Sequence, residues 1–211
     1  MLSPMRAALQ ALCSSLLLVT AESAVADPVS PDDVRPLTNQ ISQQLASSKR
    51  VLAVGDSLTA GYNVARQDSY PSVLGKRLGI SVRNGGVSGE TSAGLLRRLP
   101  ALLKGGPYDT VLLCTGGNDW LRGVPAPELQ ANLERAIDLI RNAGAAPLLV
   151  AVPMLPLALA DHPVYQQVAA KKNVPLAGGF GLVLGRQHFQ PDGLHPNAAG
   201  YRQIVDRLLS S

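Results

Sequence analysis

Short apolar runs alternate along this chain with longer stretches in which apolar positions recur every three or four residues. The runs at residues 51–54, 80–82, 110–114, 148–152 and 174–176 are continuous rather than alternating, as in strands covered on both faces. Between and after them, residues 69–78, 92–103, 127–143, 163–172 and 197–209 carry the helical period. Five strand–helix units of this kind predict a five-stranded parallel sheet with helices on both faces. The expected fold is a three-layer α/β/α domain of flavodoxin-like outline.

The pattern is different near the N-terminus. Arg6 precedes an apolar stretch over residues 7–19, interrupted only by Gln10, Ser14 and Ser15, and Ala24-Val25-Ala26 follows as a small-x-small site. This reads as a signal peptide over residues 1–26, cleaved before Asp27, and the stretch is short of the ~20 apolar residues of a membrane span. Cys13 is a poor lipidation site because Leu12 stands where a small residue is expected. Residues 27–48, rich in Pro, Asp, Ser and Gln, read as a linker with one short helical stretch near 37–45, and the domain proper as residues 49–211. The processed protein is therefore expected in the periplasm or outside the cell, with no stable membrane insertion.

Composition narrows the class further. With 46% apolar and 16% charged residues, a chain of 211 residues can bury one sizeable core without metals or disulfides. The net charge of +4 raises the question of nucleic acid. However, the basic pairs Lys49-Arg50, Arg97-Arg98 and Lys171-Lys172 are isolated, and an aromatic share of 4% leaves no basic–aromatic stripe, so nucleic acid is not an expected partner. Of the two cysteines, Cys13 lies in the leader and Cys114 ends an apolar run, which predicts a buried thiol and no internal disulfide. No repeat or coiled-coil pattern calls for an oligomer, so a monomer is expected.

The chemistry-bearing residues gather after strands, where open parallel sheets bind ligands. Gly55-Asp56-Ser57-Leu58 follows the first predicted strand, Asn84-Gly85-Gly86-Val87-Ser88-Gly89-Glu90-Thr91 the second, and Gly116-Gly117-Asn118-Asp119 the third. A serine hydroxyl becomes a useful nucleophile when a neighbouring base takes its proton, and the base needs a third group to orient it. Ser57 is the candidate nucleophile. Asp192 lies three residues before His195, a spacing that lets a tight turn pair the carboxylate with one imidazole nitrogen while the other faces Ser57. The developing oxyanion needs fixed donors, for which the Ser57 backbone N–H, the Gly89 N–H and the Asn118 side-chain amide are candidates.

Each residue also has a plainer reading. Ser57 alone would be taken as a helix cap. Asp56 and Asp119 read as structural residues that hold loops through backbone N–H groups, and Gly85 and Gly86 as loop glycines. His162 and His188 lie outside every block. Trp120 fits a packing role as well as a pocket wall. Asp192 and His195 taken as metal ligands would lack a supporting cluster, and neither a metal nor a cofactor is expected.

Taken together, GDSLTAGY at residues 55–62, NGGVSGETSAG at 84–94, GGND at 116–119 and DGLHPN at 192–197 resemble the GDSL/SGNH hydrolase family. The similarity runs from about residue 51 to 209, and it points to the small periplasmic branch of thioesterase/lysophospholipase and arylesterase enzymes. The resemblance implies a catalytic triad of Ser57, Asp192 and His195 and an oxyanion hole of Ser57, Gly89 and Asn118. The implied substrates are acyl or aryl esters, extending to thioesters and lysophospholipids. Carbohydrate O-acetyl ester hydrolysis and a non-catalytic binding role are the alternatives. In such relatives the segment after the fourth strand lies beside the acyl group. Here residues 152–160 are strongly apolar, which nominates Met154, Leu155 and Leu157 as substrate-binding residues, whereas the glycine-rich stretch at 178–185 departs from the bulkier helical sequence of relatives.

Overall fold

The computed structural model describes residues 40–154, 160–179, 181 and 188–210. The expected signal peptide, Leu155, Leu157 and most of the glycine-rich stretch at 178–185 lie outside the described residues.

The continuous apolar runs become the centre of the sheet. β1 (Arg50–Gly55), β3 (Thr110–Cys114) and β4 (Ala146–Val150) bury all but two of their side chains, because helices cover both faces. β2 (Ser81–Gly86) and β5 (Leu176–Ala177) flank them, and the five strands run parallel in the order β2-β1-β3-β4-β5. In this order the winding reverses between β1 and β3, so the loops leaving those two strands diverge and open a crevice beyond their C-terminal ends.

The right-handed crossover rule then assigns the helices to faces. α3 (Tyr70–Leu78) and α8 (Ala198–Leu209) pack together on one side of the sheet, while α4 (Ser92–Leu103), α6 (Ala126–Asn142) and α7 (Val164–Lys172) form a row on the other. Each presents an apolar stripe at helical spacing. In α6 it is Leu129, Leu133, Ala136, Ile137 and Ile140, and in α8 Tyr201, Ile204, Val205 and Leu208. Full burial of one such leucine or isoleucine stabilises by about 1.5–3 kcal/mol, so these stripes fix where the helices sit. Their ends carry caps: Thr91 Oγ1 accepts from Gly94 N–H at the start of α4, and Asn197 Oδ1 accepts from Ala199 and Gly200 N–H at the start of α8.

β4 lies two residues ahead of the expected 148–152, β5 starts two residues after the expected 174, and the structure differs from the sequence expectation in three further places. β2 begins one residue later than expected and runs on through Asn84, Gly85 and Gly86, which pair with Ala53, Val54 and Gly55 of β1. The hydrogen-bonded ladder is made by backbone, so an edge strand continues past its apolar residues. Two short helices, α2 (Ser57–Ala60) and α5 (Gly117–Leu121), are too brief to show a period in sequence. Finally, the short helical stretch expected near 37–45 within the linker over 27–48 is a helix over residues 40–47 (α1), and what differs is that its Ile41 and Leu45 are buried in the core. That part of the segment belongs to the domain, because two apolar side chains four residues apart occupy one helix face.

Candidate active site

Ser57 is the first residue of α2, and Asp56 caps that helix, its carboxylate accepting from Leu58 N–H at 3.0 Å. The Ser57 backbone N–H belongs to a first turn, where N–H groups have no intrahelical acceptor. Gly86 is what lets α2 lie so close to the sheet: a Cβ there would come within 2.2 Å of Ala60 N. Asn84 reinforces the seating by donating from Nδ2 to Thr59 O at 2.7 Å.

His195 approaches from the other end of the chain. Its Nε2 stands 2.9 Å from Ser57 Oγ and its Nδ1 2.8 Å from Asp192 Oδ2. Asp192 Oδ1 also accepts from the N–H groups of Leu194 and His195, at 2.9 and 3.0 Å. Partial burial acts to raise the Asp192 pKa. The backbone and side-chain N–H donors of His195, with Leu194 N–H, outweigh it and hold the carboxyl below the usual carboxylate range. An ionised Asp192 fixes the tautomer, with Nδ1–H donating to the carboxylate, and leaves Nε2 free to accept from Ser57.

On the opposite side of Ser57 stand Gly89 and Asn118. Gly89 adopts φ +79°, a left-handed conformation open to glycine at little cost, and its carbonyl accepts from Arg122 at 2.8 Å. The Asn118 Nδ2 donates to Glu90 O at 3.1 Å; an amide nitrogen carries two hydrogens, so one N–H remains for a ligand. Glu90 is itself clamped by Arg98 through both carboxylate oxygens. Asp119 accepts from Ser92 N–H at 2.7 Å and from Ser92 Oγ, which ties the third loop to the start of α4. Ser57, Gly89, Asn118 and His195 all face one cleft of about 210 Å³.

The apolar wall of that cleft includes Leu58, Leu121, Val152 and Pro153. Met154 is not among its lining residues; its N–H donates to Ala160 O at 3.0 Å. Trp120 sets its ring edge-on to His162 at 5.6 Å, outside the cleft, and His162 Nδ1 accepts from Val164 N–H at the start of α7. The His188 carbonyl accepts from Asn197 N–H. The Cys114 thiol is buried, and burial pushes its pKa far up, so it stays protonated and unreactive.

Two contributors escaped the sequence reading. Tyr62 lines the cleft with its ring 4.7 Å from that of His195. Gln190 donates from Nε2 to Tyr62 O at 2.7 Å and to Pro196 O at 3.1 Å, and its N–H donates to His195 O at 2.8 Å. It thereby joins the His195 turn to the Ser57 turn. Both sit inside or beside the recognised blocks, but only their long-range contacts distinguish them from ordinary loop residues.

A parallel sheet whose C-terminal edge brings a serine, a histidine and a carboxylate within hydrogen-bond reach has the parts that acyl transfer from an ester requires. The family comparison agrees: residues 53–203 match the GDSL-like lipase/acylhydrolase family, and the chain belongs to it. An arylesterase of Vibrio mimicus is 33% identical over 178 residues, covering 79% of this chain and 89% of the relative. The thioesterase 1/protease 1/lysophospholipase L1 of Escherichia coli K12 is 35% identical over 171 residues, covering 76% and 82%. Among solved structures, a psychrotrophic esterase EstA from Pseudoalteromonas inhibited by monoethylphosphonate superposes with a TM-score of 0.69 at 30% identity, over 75% of this chain and 93% of that one.

Proposed function

We propose that the chain is an exported serine esterase that hydrolyses acyl or aryl esters, and thioesters and lysophospholipids as well, through an acyl-enzyme. The observation that carries this reading is the relay from Ser57 Oγ to His195 Nε2 and from His195 Nδ1 to Asp192 Oδ2, at 2.9 and 2.8 Å. In the first step His195 takes the Ser57 proton as Oγ attacks the carbonyl carbon, and the oxyanion is held by the Ser57, Gly89 and Asn118 donors. His195 then protonates the departing alcohol, and the carbonyl re-forms on Ser57. In the second step His195 takes a proton from water, which attacks the acyl-enzyme, and returns that proton to Ser57 as the acid leaves.

The thioester and lysophospholipid substrates rest on similarity to the Escherichia coli relative, named as a thioesterase and lysophospholipase. The apolar segment at 152–160, with Met154, Leu155 and Leu157, is proposed as one side of the acyl site. Export rests on the leader over residues 1–26, and the processed protein is taken to act as a monomer in the periplasm or outside the cell. Among the described residues no helix is long and apolar enough to cross a membrane.

The test is hydrolysis of p-nitrophenyl esters from acetate to long acyl chains by the exported protein. Ser57→Ala is expected to abolish turnover. Asn118→Ala is expected to fold and to lose about 10²–10³-fold in kcat, with little change in KM, because it removes one oxyanion donor. His188→Ala serves as the neutral control. Near-normal kcat in Asn118→Ala would overturn the oxyanion assignment, and cleavage of acetate alone would move the reading to a carbohydrate O-acetylesterase.

A further inference from the structure

Among the described residues, the large apolar side chains left exposed are Tyr62 (41%), Val87 (46%), Trp120 (39%) and Leu121 (54%). Single exposed apolar residues are ordinary on a protein surface; their distribution here is not. Tyr62 and Leu121 line the catalytic cleft, Trp120 directly precedes Leu121 on α5, and Val87 directly precedes the cleft residues Ser88 and Gly89. Tyr62 and Leu121 therefore stand exposed at the opening itself, and Val87 and Trp120 are exposed on the loop and helix that deliver lining residues to it. Val87 and Trp120 are not lining residues of the cleft, so a substrate held inside it does not account for their exposure.

The charges around the opening are one-sided. Glu90 is held by Arg98, Asp192 by His195, and Asp68 lies 3.7 Å from Arg202. The Arg122 guanidinium, next to Leu121, has no carboxylate partner among the described residues and donates to the Gly89 carbonyl. The surface around the opening thus combines apolar side chains, two amphipathic aromatics and the Arg122 guanidinium, which is tied to the cleft residue Gly89. Tyrosine and tryptophan settle at lipid–water boundaries because one end of the ring system is apolar and the other hydrogen-bonds. Guanidinium groups beside them are attracted to a negative headgroup layer.

We propose that this surface is a docking site for an anionic lipid surface, which would present ester groups to the cleft from within the lipid layer. The inference rests on the esterase reading for its purpose but not for its binding step. A surface seated on lipid headgroups buries Val87 and Trp120 in the interface and brings Arg122 against phosphate. The substrate then enters by moving out of the layer past Tyr62 and Leu121, without first crossing water.

The test is co-sedimentation of the exported protein carrying Ser57→Ala, which removes turnover, with vesicles of phosphatidylcholine alone or mixed with phosphatidylglycerol. Binding is expected to the mixed vesicles and to weaken as salt is raised. The double substitution Val87→Ser/Trp120→Ser is expected to weaken it at least about tenfold. Hydrolysis of soluble p-nitrophenyl acetate by the same substitutions on a Ser57 background is expected to stay within about twofold of the parent, which also shows that they fold. Absence of vesicle binding, or binding that the double substitution leaves unchanged, overturns the proposal. So does sedimentation velocity showing that Val87 and Trp120 instead hold two copies together. Vesicle binding without soluble ester hydrolysis would overturn the esterase reading alone.

Discussion

Asp56 is 1% exposed, within electrostatic reach of both His195 and Asp119. Burial pushes its carboxyl up from 3.8 to about 6, opposed by Leu58 N–H and by the charge on His195, and reinforced by Asp119. Between those two values the folded chain binds more protons at this site than the unfolded chain. Stability from this group is therefore fully present below the unfolded value and is lost as pH rises through about 6. A rise of about two pH units corresponds to about 3 kcal/mol. Asp56→Asn, which cannot ionise, is expected to gain up to that amount relative to the parent between pH 4 and pH 8, read from denaturant midpoints at the two pH values. A constant difference between the two proteins would show that burial does not raise this carboxyl. The sequence identified Asp56 as a residue that holds backbone, which matches its bond to Leu58. Its buried charge depends on what the rest of the fold places around it, and no local pattern encodes that.

At the scale of elements, the strands and long helices were largely legible because continuous apolar runs and 3.6-residue patterns are local. α4 matches the expected residues 92–103, and α3, α6, α7 and α8 start or end within a residue or so of expectation. β2 was less legible. Its last residues are Asn84, Gly85 and Gly86, which resemble a turn in sequence but serve as an edge strand beneath α2. Gly86→Ala would press a methyl group against the Ala60 backbone. Since backbone cannot swing aside as a flexible side chain does, a cost of about 1–3 kcal/mol is expected, and the displaced α2 should lower kcat for ester hydrolysis. Thermal melting and kinetics on the same preparation check both effects; unchanged kcat and Tm would mean that α2 does not depend on this close approach.

For the whole molecule, the unexpected participant is α1. Leu45 is fully buried and Ile41 nearly so, and Ser48 Oγ donates to Thr110 Oγ1 at 2.9 Å, tying the segment to β3. Leu45→Ala is expected to cost about 2–5 kcal/mol in chemical denaturation, as in other cores, while leaving kcat of the folded enzyme unchanged. A cost under 1 kcal/mol would restore residues 40–48 to the linker. The sequence by itself determined the class of fold and nominated Ser57, Gly89, Asn118, Asp192 and His195, since strand and helix periods and the four motif blocks are written in neighbouring residues. Only the tertiary structure brought Ser57 within 2.9 Å of His195, 138 positions away, joined Gln190 to Tyr62, and left Tyr62 and Leu121 exposed at one opening. The physical reason is that hydropathy reports whether a side chain prefers burial. Which distant residues share a cleft, and which apolar ones stay uncovered, is set by the strand order and by the packing of helices over the sheet.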